Sequence, residues 1–139
     1  MEDYSHLTVK DYKFWSVQVH QNQSYLGRCV IWCIREDAED LADANPGEQE
    51  ELFKVLQDVR KAAMKAFGAE WFNYSFLGNE TRHLHGHFIP RYSSPQVFED
   101  VTFTDEQWGK NPHKGEKKDF IASPELLESI RLKLKESLG

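Results

Sequence analysis

At 139 residues, 40% apolar and 13% aromatic, the chain has the material for one ordinary domain around a hydrophobic core. Its 23 acids against 17 lysines and arginines give a formal charge of −6, which argues against a broad cationic face for a nucleic acid polymer or an anionic membrane. No apolar run is long enough to span a bilayer, and residues 1–10 carry acids where a signal peptide needs a basic start and an apolar stretch, so the expectation is a cytoplasmic protein.

In chain order, residues 12–21 and 25–34 are rich in β-branched and aromatic side chains and meet at Asn22-Gln23-Ser24, predicting an antiparallel hairpin. Cys29 and Cys33 fall in the second run. On a strand their Cα atoms lie about 13 Å apart, beyond the roughly 7 Å a disulfide bridges, so both read as buried thiols. Asn45 then caps a helix with Pro46 at its first position and Glu48 completing a capping box. Leu52, Val55, Leu56, Val59, Ala63, Ala66 and Phe67 recur at helical spacing, and Gly68 ends the helix. One apolar stripe predicts that it lies across a sheet face.

Residues 71–77 and 83–92 read as two further strands around the polar loop Gly78-Asn79-Glu80-Thr81-Arg82. Residues 108–118 form a cationic loop with Trp108, read either as a substrate lid or as a solvated loop anchored by its tryptophan. Ser123-Pro124 opens a last helix with Leu126, Leu127, Ile130, Leu134 and Leu138 on one side, able to pack on the domain or on a second subunit. Trp15, Trp32 and Trp71 read as core. No repeat or linker interrupts this order, which predicts one α+β domain over 1–139, with a core at 10–92 and a carboxy-terminal loop and helix at 93–139.

The informative segment is His83-Leu84-His85-Gly86-His87-Phe88-Ile89-Pro90-Arg91-Tyr92. On a strand, alternate side chains share a face: His83, His85, His87, Ile89 and Arg91 on one side, Leu84, Phe88, Pro90 and Tyr92 on the other. Aligned imidazoles serve two chemistries. Two of them with a ligand from elsewhere can hold zinc, but three on one strand span about 13 Å and cannot all reach one ion. The other is nucleophilic catalysis at phosphorus: a neutral ring attacks, while neighbours bind phosphate oxygens and protonate the departing group. Arg91, on the histidine face at the strand end, reads either as a contact for polyphosphate or, as is commoner for a strand-end arginine, as solvated.

The pattern resembles the histidine-triad (HIT) hydrolases and nucleotidyl transferases, whose signature is three alternating histidines separated by apolar residues and followed by two more. The resemblance extends to Asn73, Leu77-Gly78-Asn79, Asn22, Leu26-Gly27 and the helix between, covering most of residues 10–92. It implies an α+β HIT-like fold: an antiparallel sheet of about five strands with a long helix packed on it and a carboxy-terminal helix. It also implies that His85 is the nucleophile forming a covalent nucleotidyl intermediate, that His87 binds phosphate and assists the leaving group, and that His83 orients His85. Asn79 would contact phosphate, and Asn73, Asn22 and Arg28 would line the substrate site; for Asn22 a hairpin turn explains the residue equally well. Implied too are a (di)nucleoside polyphosphate or phosphoramidate substrate, no tightly bound cofactor or metal, magnesium only with the substrate, and a homodimer.

Two positions depart from the family pattern. Arg28 stands where many members have a fourth histidine, so a guanidinium replaces an imidazole. Gly86 stands where a bulky apolar residue is usual, and a glycine there predicts weaker strand packing and the close approach of another backbone. These departures keep open a nucleotide-binding protein without turnover; a metal-dependent hydrolase is the third reading.

Overall fold

The computed structural model describes residues 4–113 and 120–138. Lys114, Lys117 and Lys118 of the expected cationic loop lie outside the described residues.

Five antiparallel strands form the main sheet: β1 (Thr8–Asp11), β2 (Trp15–Val19), β3 (Cys29–Cys33), β4 (Trp71–Ser75) and β5 (His85–Arg91). Their spatial order is β1-β2-β3-β5-β4, so the histidine strand is interior and β4 is an edge. A separate hairpin pairs β6 (Gln96–Phe98) with β7 (Val101–Phe103). Helices α1 (Pro46–Phe67) and α2 (Pro124–Ser137) complete the fold. Among the described residues no helix is long and apolar enough to cross a membrane.

The capping signals of α1 act as the sequence predicts. Asn45 Oδ1 accepts from the Glu48 amide and Glu48 Oε1 accepts from the Asn45 amide, both at 2.9 Å. Gly68 closes the helix at φ +72°, a conformation glycine adopts without steric cost. Leu52, Val55, Val59, Ala62, Ala63 and Phe67 are buried against the sheet. Ser123 caps α2, whose Leu127, Ile130 and Leu134 join the same core. The last helix packs one face on its own domain, where Arg131 Nη1 donates to the Thr8 carbonyl at 3.0 Å.

Register divides the sheet into two faces. Trp15, Val17, Val19, Cys29, Ile31, Cys33 and Phe88 point into the core. Burial pushes the Cys29 thiol up to about 12 and the Cys33 thiol to about 11, so both are protonated, inert packing groups. On the opposite face one cross-strand row reads Gln18, Val30, His87, Ser75 and the next reads Ser16, Trp32, His85.

The expected tight turn at residues 22–24 is instead part of a nine-residue connection, 20–28, because the ladder between β2 and β3 ends at Val19↔Cys29. Buried Gln23 staples it: Nε2 donates to the His20 and Arg28 carbonyls at 2.7 and 3.0 Å, and Oε1 accepts from the Gly27 amide at 2.8 Å. A side chain here supplies hydrogen bonds that a shorter hairpin would make through its backbone.

Candidate functional site

His83 precedes β5, and its Nε2–H donates to the Cys33 carbonyl at 2.6 Å. Its ring stacks on Trp32 with centroids 4.0 Å apart and planes 14° apart. The His83 carbonyl in turn accepts from His85 Nδ1 at 2.6 Å. A carbonyl cannot donate, so this bond places the His85 proton on Nδ1 and leaves the lone pair of neutral His85 on Nε2. That is the tautomer a nucleophilic imidazole needs.

His87 lies next along the row, its ring 5.5 Å from that of His85. Arg28 is buried at 4% exposure and brings Nη2 to 3.5 Å from His87 Nδ1, the outer limit of a hydrogen bond. Burial, the Arg28 cation and the neighbouring His85 and His113 hold His87 down to about 4. Burial also lowers Arg28, to about 10, which leaves it charged at neutrality. The site therefore sets a fixed cation beside the neutral rings of His87 and His20, an arrangement poised for an anion.

A fourth imidazole is present after all, from a position the sequence reading passed over. His20 stands 5.7 Å from the His87 ring, and its Nδ1 accepts the Asn22 amide at 2.9 Å. Burial, Arg28 and His87 together hold His20 down to about 3. The alternation Ser16, Gln18, His20 carries a signal for it, since the first two share the histidine face. His113 adds a fifth ring 6.5 Å from His87, with Nε2 3.3 Å from Ser75 Oγ, and no local pattern marks it.

The other expected site residues divide. Asn73 faces the site side of β4, where its Oδ1 accepts from Arg91 Nη1 at 2.8 Å. Asn22 forms a turn: its Oδ1 accepts from the Ser24 amide and hydroxyl at 2.9 and 2.7 Å. Asn79 is exposed on the loop between β4 and β5 and does not line the cavity described below.

Three readings need correction. Arg91 is 3% exposed rather than solvated, and it organises the loop after β7. Trp32 stacks on the histidine row, and Trp71 is 65% exposed on the edge strand, so neither is core. Gly86 admits a side chain rather than another backbone: a Cβ added there would sit 2.5 Å from the Phe76 ring, which fills the space of the missing apolar residue.

A cavity of about 630 Å³ opens beside this row, lined by Trp71, Asn73, Ser75 and Arg91 of the sheet and by 108–113, including Trp108 and His113. Its outer wall is tied down. Arg91 donates to the Gln107 and Lys110 carbonyls at 2.5 and 2.9 Å, and Tyr25 Oη donates to the Pro112 carbonyl at 2.5 Å. Among the described residues no group of three or more His, Cys, Asp or Glu side chains is placed to hold a metal ion.

The HIT domain family model matches residues 4–94. No curated protein sequence matches the chain. Among solved structures, a histidine triad protein of Sinorhizobium meliloti 1021 superposes with a TM-score of 0.77 at 21% identity, covering 94% of this chain and 88% of its own. A hypothetical histidine triad nucleotide-binding protein of Sulfolobus tokodaii strain7 gives 0.74 at 19%, covering 99% and 85%. The diadenosine triphosphate hydrolase of Plasmodium falciparum gives 0.66 at 15%, covering 98% and 78%. At such identities the likenesses establish the fold, and with the family match over most of the chain, His85 and His87 on an interior strand and His83 just before it, this protein belongs to the histidine triad (HIT) domain family.

Proposed function

We propose that the protein is a nucleotide hydrolase or nucleotidyl transferase that works through a covalent nucleotidyl-histidine intermediate. The observation that carries this reading is the bond from His85 Nδ1–H to the His83 carbonyl, which presents a bare Nε2 at the centre of the row. His85 Nε2 attacks the α-phosphorus, the P–N bond forms, and the bond from phosphorus to the departing oxygen or nitrogen breaks. Arg28 stabilises the phosphate charge.

His87 is the acid for the departing group and then the base for the water that cleaves the P–N bond, which regenerates His85. His87 is neutral above about pH 4. A bound phosphate offsets the Arg28 field and raises His87 toward the working range, so substrate charge itself switches on the acid. Such a mechanism uses no resident metal; magnesium enters, where it does, as the counter-ion of a polyphosphate substrate.

A homodimer and a cytoplasmic location complete the proposal. β4 is a sheet edge, and its unpaired backbone is suited to pairing with the same strand of another copy. Purified wild-type and His85→Ala proteins would be assayed on diadenosine polyphosphates and adenosine 5′-phosphoramidate, with intact mass read on rapidly quenched samples. The expected result is a nucleotidyl adduct on wild type alone, and turnover lowered at least about 1,000-fold in the variant. Nucleotide binding with neither adduct nor turnover would sink the catalytic reading in favour of a binding protein. Light scattering reads the oligomeric state.

A further inference from the structure

The cavity beside the histidine row has a direction. On β4, Ser75 pairs with His87, Asn73 with Ile89 and Trp71 with Arg91. The cavity floor therefore starts level with His87 and runs away from His85, toward the end of β5. Its other wall carries Trp108, Lys110 and His113.

Both indoles are available to a ligand. Trp71 is 65% and Trp108 42% exposed, although large aromatic side chains are ordinarily withdrawn from water. They belong to elements 37 positions apart in the chain and line one cavity because the Arg91 and Asp105 pair holds the 105–110 stretch against the sheet. Lys110 supplies a cation on the same wall.

We propose that this cavity is the seat of the departing half of the substrate, and that this half is a planar aromatic group joined through phosphate, such as a second nucleoside, rather than a small amine. The assignment rests on the nucleotidyl-transfer reading, in which His87 protonates the departing group. The cavity begins at His87, on its side away from the nucleophile. Trp71 and Trp108 offer apolar faces for a base, and Lys110 with His113 borders the phosphates that connect it to the reacting phosphorus.

The test compares two substrates sharing the adenylyl half: diadenosine triphosphate, which releases ADP, and adenosine 5′-phosphoramidate, which releases ammonia. In Trp71→Ala and in Trp108→Ala the ratio of their kcat/KM values should shift about 10-fold against the dinucleotide. Equal losses on both substrates would place the retained nucleotide in the cavity and overturn the proposal, as would an unchanged ratio. Nitrogen-15 spectra give a readout independent of turnover: ADP should shift the indole N–H signals of Trp71 and Trp108 and leave that of buried Trp15 in place. If wild type forms no adduct with either substrate, the catalytic reading fails by itself; the spectra then decide the cavity, and silent Trp71 and Trp108 signals would overturn it too.

Discussion

Arg91 and Asp105 form a buried, two-pronged ion pair, with Nε at 2.7 Å from Oδ2 and Nη2 at 3.0 Å from Oδ1. The guanidinium also lies over the Tyr25 ring at 5.2 Å and donates to Asn73 and to the Gln107 and Lys110 carbonyls. Every strong donor direction of Arg91 is thereby committed to structure, and its charge is met by Asp105. Arg91 therefore builds the wall, while Arg28 is the guanidinium that faces the His87 ring.

Removing one partner strands the other as a buried charge, a change that costs about 3–5 kcal/mol. Asp105→Asn should therefore lower the urea midpoint substantially and detach the wall carrying Trp108, so ligand affinity falls with stability. Replacing both residues by apolar ones of similar volume should recover much of the stability without restoring the wall's hydrogen bonds to Arg91. Chemical unfolding of the three variants checks this; an unaltered midpoint in Asp105→Asn would rule out a structural role for the pair.

The histidine cluster dictates a pH dependence. His87 sits near 4 and His20 near 3 in the folded chain, against a reference value of 6.5. The unfolded chain binds these protons more readily, so stability rises with pH between about 3 and 6.5 and is lost as pH falls through that window. Arg28→Met removes a cation that lowers both rings, so both should titrate higher. NMR titration of the ring signals reads this directly, and adding AMP to wild type should move His87 upward as well.

Gly86 and Phe76 behave as one packing unit. An alanine Cβ at position 86 would meet Phe76 Cε2 at 2.5 Å and Cζ at 2.6 Å, distances that force the ring or the strand to move. Gly86→Ala alone should destabilise by about 1–3 kcal/mol through overpacking. Adding Phe76→Ala opens the space, and combining it with Gly86→Val should restore part of the loss. Thermal melts of the single and double variants measure the coupling, and simple additivity would deny it.

The β6–β7 turn carries correctable strain. Glu99 and Asp100 sit at φ +51° and +62° between paired Phe98 and Val101. A two-residue hairpin with both central residues left-handed favours Asn-Gly. Glu99→Asn with Asp100→Gly should stabilise by about 1–2 kcal/mol, visible as a raised melting temperature with kcat/KM unchanged, because the turn does not line the cavity.

Much of this was readable from the chain alone because the signals are local. The α1 cap needs only Asn45, Pro46 and Glu48, and the alternation of His83, His85 and His87 names a face without any other strand. The family resemblance supplied the five-stranded sheet, which the structure bears out with an order no local signal contains. β1 and the β6–β7 hairpin went unread, being four and three residues long and too short for periodicity to register.

Tertiary structure decided what depends on distant partners. Whether Arg28 meets His87 is a matter of a pairing 59 positions away in sequence, and that cation adds to the burial that lowers the ring's proton affinity. Arg91 looked solvated because a strand-end arginine ordinarily is; Asp105 and two loop carbonyls, all beyond the hairpin, make it a buried strut. Chain position sets which face a side chain occupies. Burial, charge and tautomer are set by what the fold brings against that face, so the row of histidines was evident at once and its electrostatics were not.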